Sequence, residues 1–443
     1  MRGTRTRIAS DREKSMQGKV ATAECAADSV ASRANTLRAR GVVLGAGLNL
    51  FMGTGQILLF SFGVFVKPII ADTGWSRSQI SAAVLWGQLL IALLAPLTGL
   101  AVDRFGARRV ALFAGPLLGV GVMLIGLLAD SAASFVFLFA FAFLLGAAQV
   151  PVPYVKAVSN WYRRRLGLAL GSAMILSGAG VALIPPLAAA LIDAFGWRIA
   201  YVALAVIVWV VSIPSVAFLL HEPQSDAVTS DHEARRVRPD AMQGMTLACA
   251  LRTRTFWLIA ISFYLISVVA GAGTHVLPII LSDAGFHAQQ SAFVMTIVGV
   301  AMVVARFGFG MLLDRFHAPR LTAVVFAGAG IGCLCLTTGL SVTTVCAAAI
   351  LIGLALGAEV DALAYLASRA FGLRHLGAIY GALMFCFSFG LGCGPALFGQ
   401  VFKYTGSYRD AFWMAVAAAC MATVAILAVR RSDLVDTHDR TAE

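Results

Sequence analysis

Twelve uninterrupted apolar runs of roughly 20 residues punctuate this chain, and that is the length a helix needs to cross a hydrocarbon layer about 30 Å thick. Their centres lie in Val42 to Phe65, Ile80 to Ala101, Val110 to Leu128, Phe135 to Val158, Leu168 to Leu191 and Ile199 to Leu220. The second six lie in Phe256 to Leu281, Ala292 to Leu313, Leu321 to Leu340, Val345 to Ala367, Leu376 to Val401 and Ala411 to Val429. Lipid offers the backbone no hydrogen bonds, so such runs must bond within themselves as helices; a closed barrel would show shorter, alternating segments. Composition agrees, with 59% of residues apolar and 13% charged, against about 25% charged in an ordinary soluble domain. An all-α membrane protein with twelve transmembrane helices is expected.

The net charge of +12 could point to nucleic acid, but the placement of the basic residues decides against that partner. Of 34 lysines and arginines, 27 fall on the termini, the central linker and alternate loops, and five (Lys67, Arg77, Arg198, Lys403, Arg409) on the opposite loops. Such asymmetry places both termini in the cytoplasm of a multi-pass protein of the cytoplasmic membrane. Residues 1–40, rich in Arg, Ser and Ala and without an apolar core of signal-peptide type, read as a disordered cytoplasmic extension, with Met16 as an alternative start. The eight cysteines fall mostly inside apolar runs with no CxxC pair, which suits small packing residues rather than a metal site.

At an offset of about 210 residues the chain matches itself. Asp103-Arg104-Phe105 recurs as Asp314-Arg315-Phe316; Leu166, Gly167 and Gly171 as Leu376, Gly377 and Gly381; Pro185 as Pro395. Trp197-Arg198-Ile199-Ala200-Tyr201 returns as Tyr408-Arg409-Asp410-Ala411-Phe412, and Pro68-Ile69-Ile70 as Pro278-Ile279-Ile280. Five matches in one order imply a duplicated six-helix unit: bundles at 41–220 and 255–430, a cytoplasmic linker at 221–254 and a tail at 431–443. Two pseudo-symmetric bundles place a substrate site at the midplane between them, reached alternately from each side.

The stretch Gly99-Leu100-Ala101-Val102-Asp103-Arg104-Phe105-Gly106-Ala107-Arg108-Arg109 resembles the loop signature of the major facilitator superfamily. Glycine permits close helix approach, Asp103 can cap a neighbouring helix and the arginines stay at the cytoplasmic face, so Gly99, Asp103, Arg104, Gly106 and Arg108 read as a gating loop. Asp314 and Arg315 repeat it, but His317 and Pro319 replace the glycine and a basic residue, which predicts a weaker second gate. The alternative is that these charges only anchor a loop among headgroups. The span Asn160-Trp161-Tyr162-Arg163-Arg164-Arg165-Leu166-Gly167 through Ser177-Gly178-Ala179-Gly180 is similar to the start of helix 5 in monocarboxylate transporters and oxalate-formate antiporter relatives.

An ionisable side chain near the bilayer centre costs at least about 2.5 to 3.5 kcal/mol, so each one is a functional candidate. Arg306, mid-helix 8, offers a permanent fork suited to a carboxylate. Its position is similar to the helix 8 arginine that binds the substrate carboxylate in monocarboxylate transporters, and the resemblance implies that role here; a structural ion pair is the alternative. Met302 stands where some relatives carry an acid or amide, so the counter-charge must come from elsewhere. Glu359 and Asp361 on helix 10 could supply it, and being two apart they point about 200° from each other, so one of them is expected to face the cavity. A carboxyl group's hold on its proton depends on burial and on the nearest cation. Substrate arriving at Arg306 could therefore move a proton.

His275, which titrates near neutral pH, shares a polar stripe on helix 7 with Ser267, Gly271, Thr274 and Pro278 and is a candidate for substrate binding or coupling. In the first bundle Asn49 and Gln56 on helix 1, with Gly53 between them, and Tyr154 on helix 4, which Pro151 and Pro153 loosen, could orient a substrate or join helices to each other. Lys156, near the cytoplasmic end, is expected to snorkel. These readings converge on a monomeric, proton-linked carrier of a small organic anion, with an anion exchanger, a drug or sugar carrier and a non-transporting membrane sensor as rivals. The stretch Ser177 to Pro186 is a poor match to the helix 5 Gly-Pro signature of drug exporters, and the termini and linker are too short for a signalling domain. No HExxH, P-loop glycine run or nucleophile constellation appears, so neither an enzyme nor a cofactor is expected.

Overall fold

A computed structural model describes residues 36–162, 165–222, 244–277, 280–281 and 284–430. The expected N-terminal extension up to residue 35, the tail at 431–443, most of the linker and the Pro278-Ile279 match lie outside the described residues. Helix α1 covers Thr36–Phe60 and runs on through Phe62–Thr73. It is followed by α2 (Arg77–Phe105), α3 (Ala107–Leu128) and α4 (Ala132–Trp161). The second bundle contains α7 (Arg254–His275), α8 (Ala288–Leu313), α9 (Ala318–Thr338), α10 (Val342–Phe371), α11 (Leu376–Thr405) and α12 (Tyr408–Leu427).

Between them Leu166–Leu219 comprises 54 residues of helix, about 80 Å at 1.5 Å per residue if straight and far longer than one crossing. It turns at Gly196, whose φ of 80° lies outside the helical region, and so divides into α5 (166–195) and α6 (197–219). Eleven helices among the described residues are long and apolar enough to span a membrane, and the division of this one makes twelve. The linker is not wholly irregular: Thr246 caps a short helix at Leu247–Ala250, and Met245 donates its N–H to Phe371 at the end of α10.

Two helices of the first bundle are broken at one level. In α1 the regular turns stop at Gly53 and resume as a π-helix over Gly55–Phe60. In α4 a helix ends at Leu145, a 3-10 turn covers Gly146–Ala148, and the helix restarts at Pro151. The freed backbone groups satisfy one another, as lipid requires. Thr54 N–H donates to Gln149 O (3.1 Å), Thr54 Oγ1 to Gly146 O (2.6 Å) and Thr98 Oγ1 to Ala147 O (3.1 Å).

The buried apolar residues form two clusters that reveal how the halves meet. One joins the whole second bundle to first-bundle residues around Val42–Leu50, Val102–Ala111, Val152–Met174 and Val216–Leu220. The other holds the opposite end of the first bundle alone, including Ile57, Phe65, Leu118, Phe139, Ile184 and Val208. The halves therefore share a core at the end bearing Asp103 and Asp314 and part toward the other end.

Candidate functional site

Two helix seams join the halves, α2 against α11 and α5 against α8. They are built alike. Asp103, ending α2, accepts from the N–H groups of Gly377 (2.9 Å) and Ala378 (2.7 Å) at the start of α11. Asp314, following α8, accepts from those of Gly167 (2.9 Å) and Leu168 (2.8 Å) at the start of α5. Each carboxylate satisfies first-turn donors that have no partner within the helix and sits at the positive end of its dipole. Next to each carboxylate, backbone presses on backbone: a Cβ on Gly99 would strike the carbonyl of Gly377, and one on Gly310 that of Gly167. Only glycine fits there.

The first carboxylate also has a cationic partner. Lys156 Nζ lies 2.6 Å from Asp103 Oδ1 and donates to the carbonyls of Leu373 (2.7 Å) and Arg374 (3.1 Å) in the loop before α11. The lysine does not snorkel as expected, because these partners from two other elements hold it in the seam. At the repeat position stands Leu366. The two copies thus differ by a missing cation rather than in their cap bonds. Elsewhere in the loop, Arg108 donates to Ala217 O (3.1 Å), Gly106 abuts Glu222, and Arg104 and Arg315 are exposed.

Arg306 stands further into the membrane on the α5–α8 seam and is 7% exposed. Its Nη1 donates to Met174 O on α5 (3.4 Å), its stem lies against Gly178, and its Nε has no partner. No described carboxylate forms an ion pair with it, so the expected counter-charge is not engaged in this conformation. Helix α10 runs parallel beside α8, with Gly353 against Val298 and Ala301, and Gly357 against Met302 and Ala305. The next turn brings Asp361 level with Arg306. Glu359 points to another face, and both acids are buried. Glu359 Oε2, both Asp361 oxygens and the Tyr380 hydroxyl on α11 have no hydrogen-bond partner, and the charge of Arg306 acts on all three side chains. Buried polar atoms are nearly always paired, and these unpaired groups all lie within reach of the charge of one guanidinium.

The candidates in the first bundle divide. Asn49 donates to Ser215 Oγ (2.6 Å) and Gly45 O (2.9 Å). Gln149 donates to Asn49 O (3.1 Å) and more weakly to Asn49 Oδ1 (3.3 Å), and accepts from the Tyr154 hydroxyl (2.5 Å). Asn49 and Tyr154 thereby join α1, α4 and α6. Gln56 instead donates to Ser177 Oγ on α5 (2.8 Å), next to the Gly178 that touches Arg306. On α7, Ser267 and Gly271 of the expected polar stripe pack on Gly390 and Leu391 of α11, and the side chains of Thr274 and His275 lie outside those described. Sequence reasoning missed Gln149, Ser177 and Tyr380, since a neutral polar residue in an apolar run carries little signal.

The family model described as Major Facilitator Superfamily matches residues 43–388 and, in a second match, 276–442. The chain belongs to the Major Facilitator Superfamily. It is accordingly a multi-pass transporter of a small molecule and not an enzyme. Among its relatives, monocarboxylate transporter 12 of Homo sapiens is 25% identical over 383 residues, covering 81% of this chain and 72% of the relative. The riboflavin transporter RibJ of Trypanosoma brucei brucei is 28% identical over 179 residues, 40% of this chain and 33% of the relative. In fold the chain is similar to the transporter FucP, solved in the outward conformation, with a TM-score of 0.67, 14% identity and coverage of 88% of this chain and 98% of that one.

Proposed function

We propose that this facilitator carries a small organic anion, a monocarboxylate in the first instance, across the cytoplasmic membrane by alternating access and in symport with a proton. One observation carries the reading: a guanidinium buried in the membrane core, on the seam between the halves, has an Nε without a hydrogen-bond partner and forms no ion pair with a carboxylate among the described residues. A permanent cation in such a place favours an anionic ligand with two acceptor oxygens. Resemblance to monocarboxylate transporter 12 supports the substrate class.

In this reading Arg306 holds the carboxylate, Gln56 with Ser177 completes the site from the first bundle, and the acids of α10 exchange the proton. His275 remains a candidate for coupling. The Asp103 and Asp314 caps, with Lys156, close the cytoplasmic end, and their release accompanies the change of state. Both termini are cytoplasmic and the monomer is the working unit.

The test is uptake of labelled lactate, pyruvate and aromatic acids into proteoliposomes, with and without an imposed pH gradient, for the wild type and Arg306→Ala. Uptake that depends on Arg306 and rises with the inward proton gradient is expected. Uptake indifferent to Arg306→Ala would remove the carboxylate role, and stimulation only by an internal counter-anion would make the protein an exchanger. The RibJ resemblance supports a bulkier aromatic substrate as a second reading; competition by riboflavin distinguishes it.

A further inference from the structure

We infer that the two acids of α10 have separate tasks: Glu359 carries the coupled proton, and Asp361 serves as the counter-charge of Arg306. This inference rests on the proton-symport reading above and goes beyond it by assigning the proton to one residue.

The first bundle holds the control. Helices α4 and α10 are each 30 residues long and each start from a serine capping box, at Ser131 and Ser341. The offset of 210 residues puts Gln149 of α4 on Glu359 of α10. Gln149 is tied to Asn49, Tyr154 and, at 3.4 Å, Ser212 Oγ. In the second bundle Asn49 and Tyr154 are replaced by Ile259 and Ala364 and, at the offset of 211 that puts Trp197 on Tyr408, Ser215 is replaced by Ile426, all of them 0% exposed. Ser212 becomes Thr423, whose hydroxyl donates to Ala419 O of its own helix (2.8 Å). The amide's partners are gone, and a carboxyl group occupies its place.

Direction agrees with this correspondence. Gly273 of α7 abuts Ile352 of α10, and Glu359 is two helical turns beyond Ile352 on the same face. It therefore faces α7, as Gln149 faces α1, whereas Asp361 lies level with Arg306 beside α8. An unpaired charge in an apolar interior is costly and such a group neutralises instead. A protonated carboxyl group is the near-isostere of an amide, with a donor and an acceptor. Gln149 is thus the permanently neutral version of what Glu359 becomes when it takes a proton from water; returning the proton to water leaves the carboxylate.

The other titratable groups on helices packed against α10 are compatible with this division. Helix α8 contributes Arg306, α9 contributes Cys333, α11 contributes Tyr380 and Cys386, and α7 contributes His275, whose side chain lies outside those described. Tyr264 of α7 stacks on Phe389 of α11. Along α10 itself are Asp361, Tyr365 and Arg369, the last lying over the Tyr365 ring. Among the described residues, Arg306 is the cation whose charge acts on both acids.

Proteoliposomes containing wild type, Glu359→Gln or Asp361→Asn test the assignment. A one-unit pH gradient supports about tenfold accumulation by a one-to-one symporter. Glu359→Gln is expected to retain exchange at equal pH while its accumulation falls to about onefold, and Asp361→Asn to raise KM. Infrared spectroscopy of the substrate-free protein supplies a readout independent of transport: the carbonyl stretch of a buried protonated carboxyl should be present in wild type and Asp361→Asn and absent in Glu359→Gln. Gradient-driven accumulation by Glu359→Gln, or loss of that band in Asp361→Asn instead, would overturn the inference. If the wild type moves no carboxylate, the proposed function fails and the infrared band alone decides the placement of the proton.

Discussion

The guanidinium of Arg306 is planar and presents parallel donors, whereas an ammonium is a point charge on a flexible stem. Arg306→Lys keeps the charge but loses the fork, and a hydrogen bond to a charged partner contributes about 1.5 to 3 kcal/mol. A rise in KM of roughly 10- to 100-fold is expected, with little change in protein yield, and initial-rate uptake across substrate concentrations measures it. Tyr154 makes the opposite case. Its hydroxyl donates to Gln149 inside the first bundle, so Tyr154→Phe should cost about 1 to 3 kcal/mol in stability through the orphaned acceptor while leaving KM unchanged. Thermal unfolding in detergent beside the same uptake assay separates the two effects. Arg306 was legible because charge in an apolar run stands out by itself. The partners of Lys156 were not, since Asp103 and Leu373 lie 53 and 217 residues away in sequence and only the packed seam brings them together.

Helices α2 and α11, and α5 and α8, approach closely enough that side chains are excluded where Gly99 meets Gly377 and Gly167 meets Gly310. A valine at Gly99 or Gly310 would push the paired backbones apart and weaken the carboxylate caps beside them. Either substitution should favour the form in which this end is open. In a cysteine-free background bearing Leu373→Cys, faster labelling by a membrane-impermeant maleimide would show it; unchanged labelling would mean the seam absorbs the side chain without parting. Gly167 and Gly377 were readable through their recurrence at one offset and Gly99 through the loop signature, whereas Gly310 and the contacts among the four needed the structure. The breaks in α1 and α4 were half visible: Pro151 marks a restart of α4, but the π-helical turn after Gly53 follows from bonds between Thr54 and α4 that no local pattern encodes.

On the scale of the whole molecule, run length and duplication carried nearly all of the architecture, because lipid leaves so few ways to satisfy a backbone. The break at Gly196 between α5 and α6 falls in the gap the sequence leaves between its fifth and sixth apolar runs. The halves are held by contacts on both seams rather than by the chain between them. A protease site placed between residues 223 and 243 should therefore allow cleavage after folding without loss of transport, the two fragments co-purifying; fragments that separate in mild detergent would assign the cohesion to the connection instead.

The paired glycines decide what opening this end must undo. Where they meet, backbone rests on backbone, and around them the apolar core shared by the halves must part as well. What must yield is four N–H contacts to two carboxylates and the two bonds from Lys156 to the carbonyls of Leu373 and Arg374, each worth about 1.5 to 3 kcal/mol net of the water that replaces it. A cargo works such a latch only through the difference between its affinities for the two forms, and about 5.5 kcal/mol of difference turns a 1:99 population into 99:1.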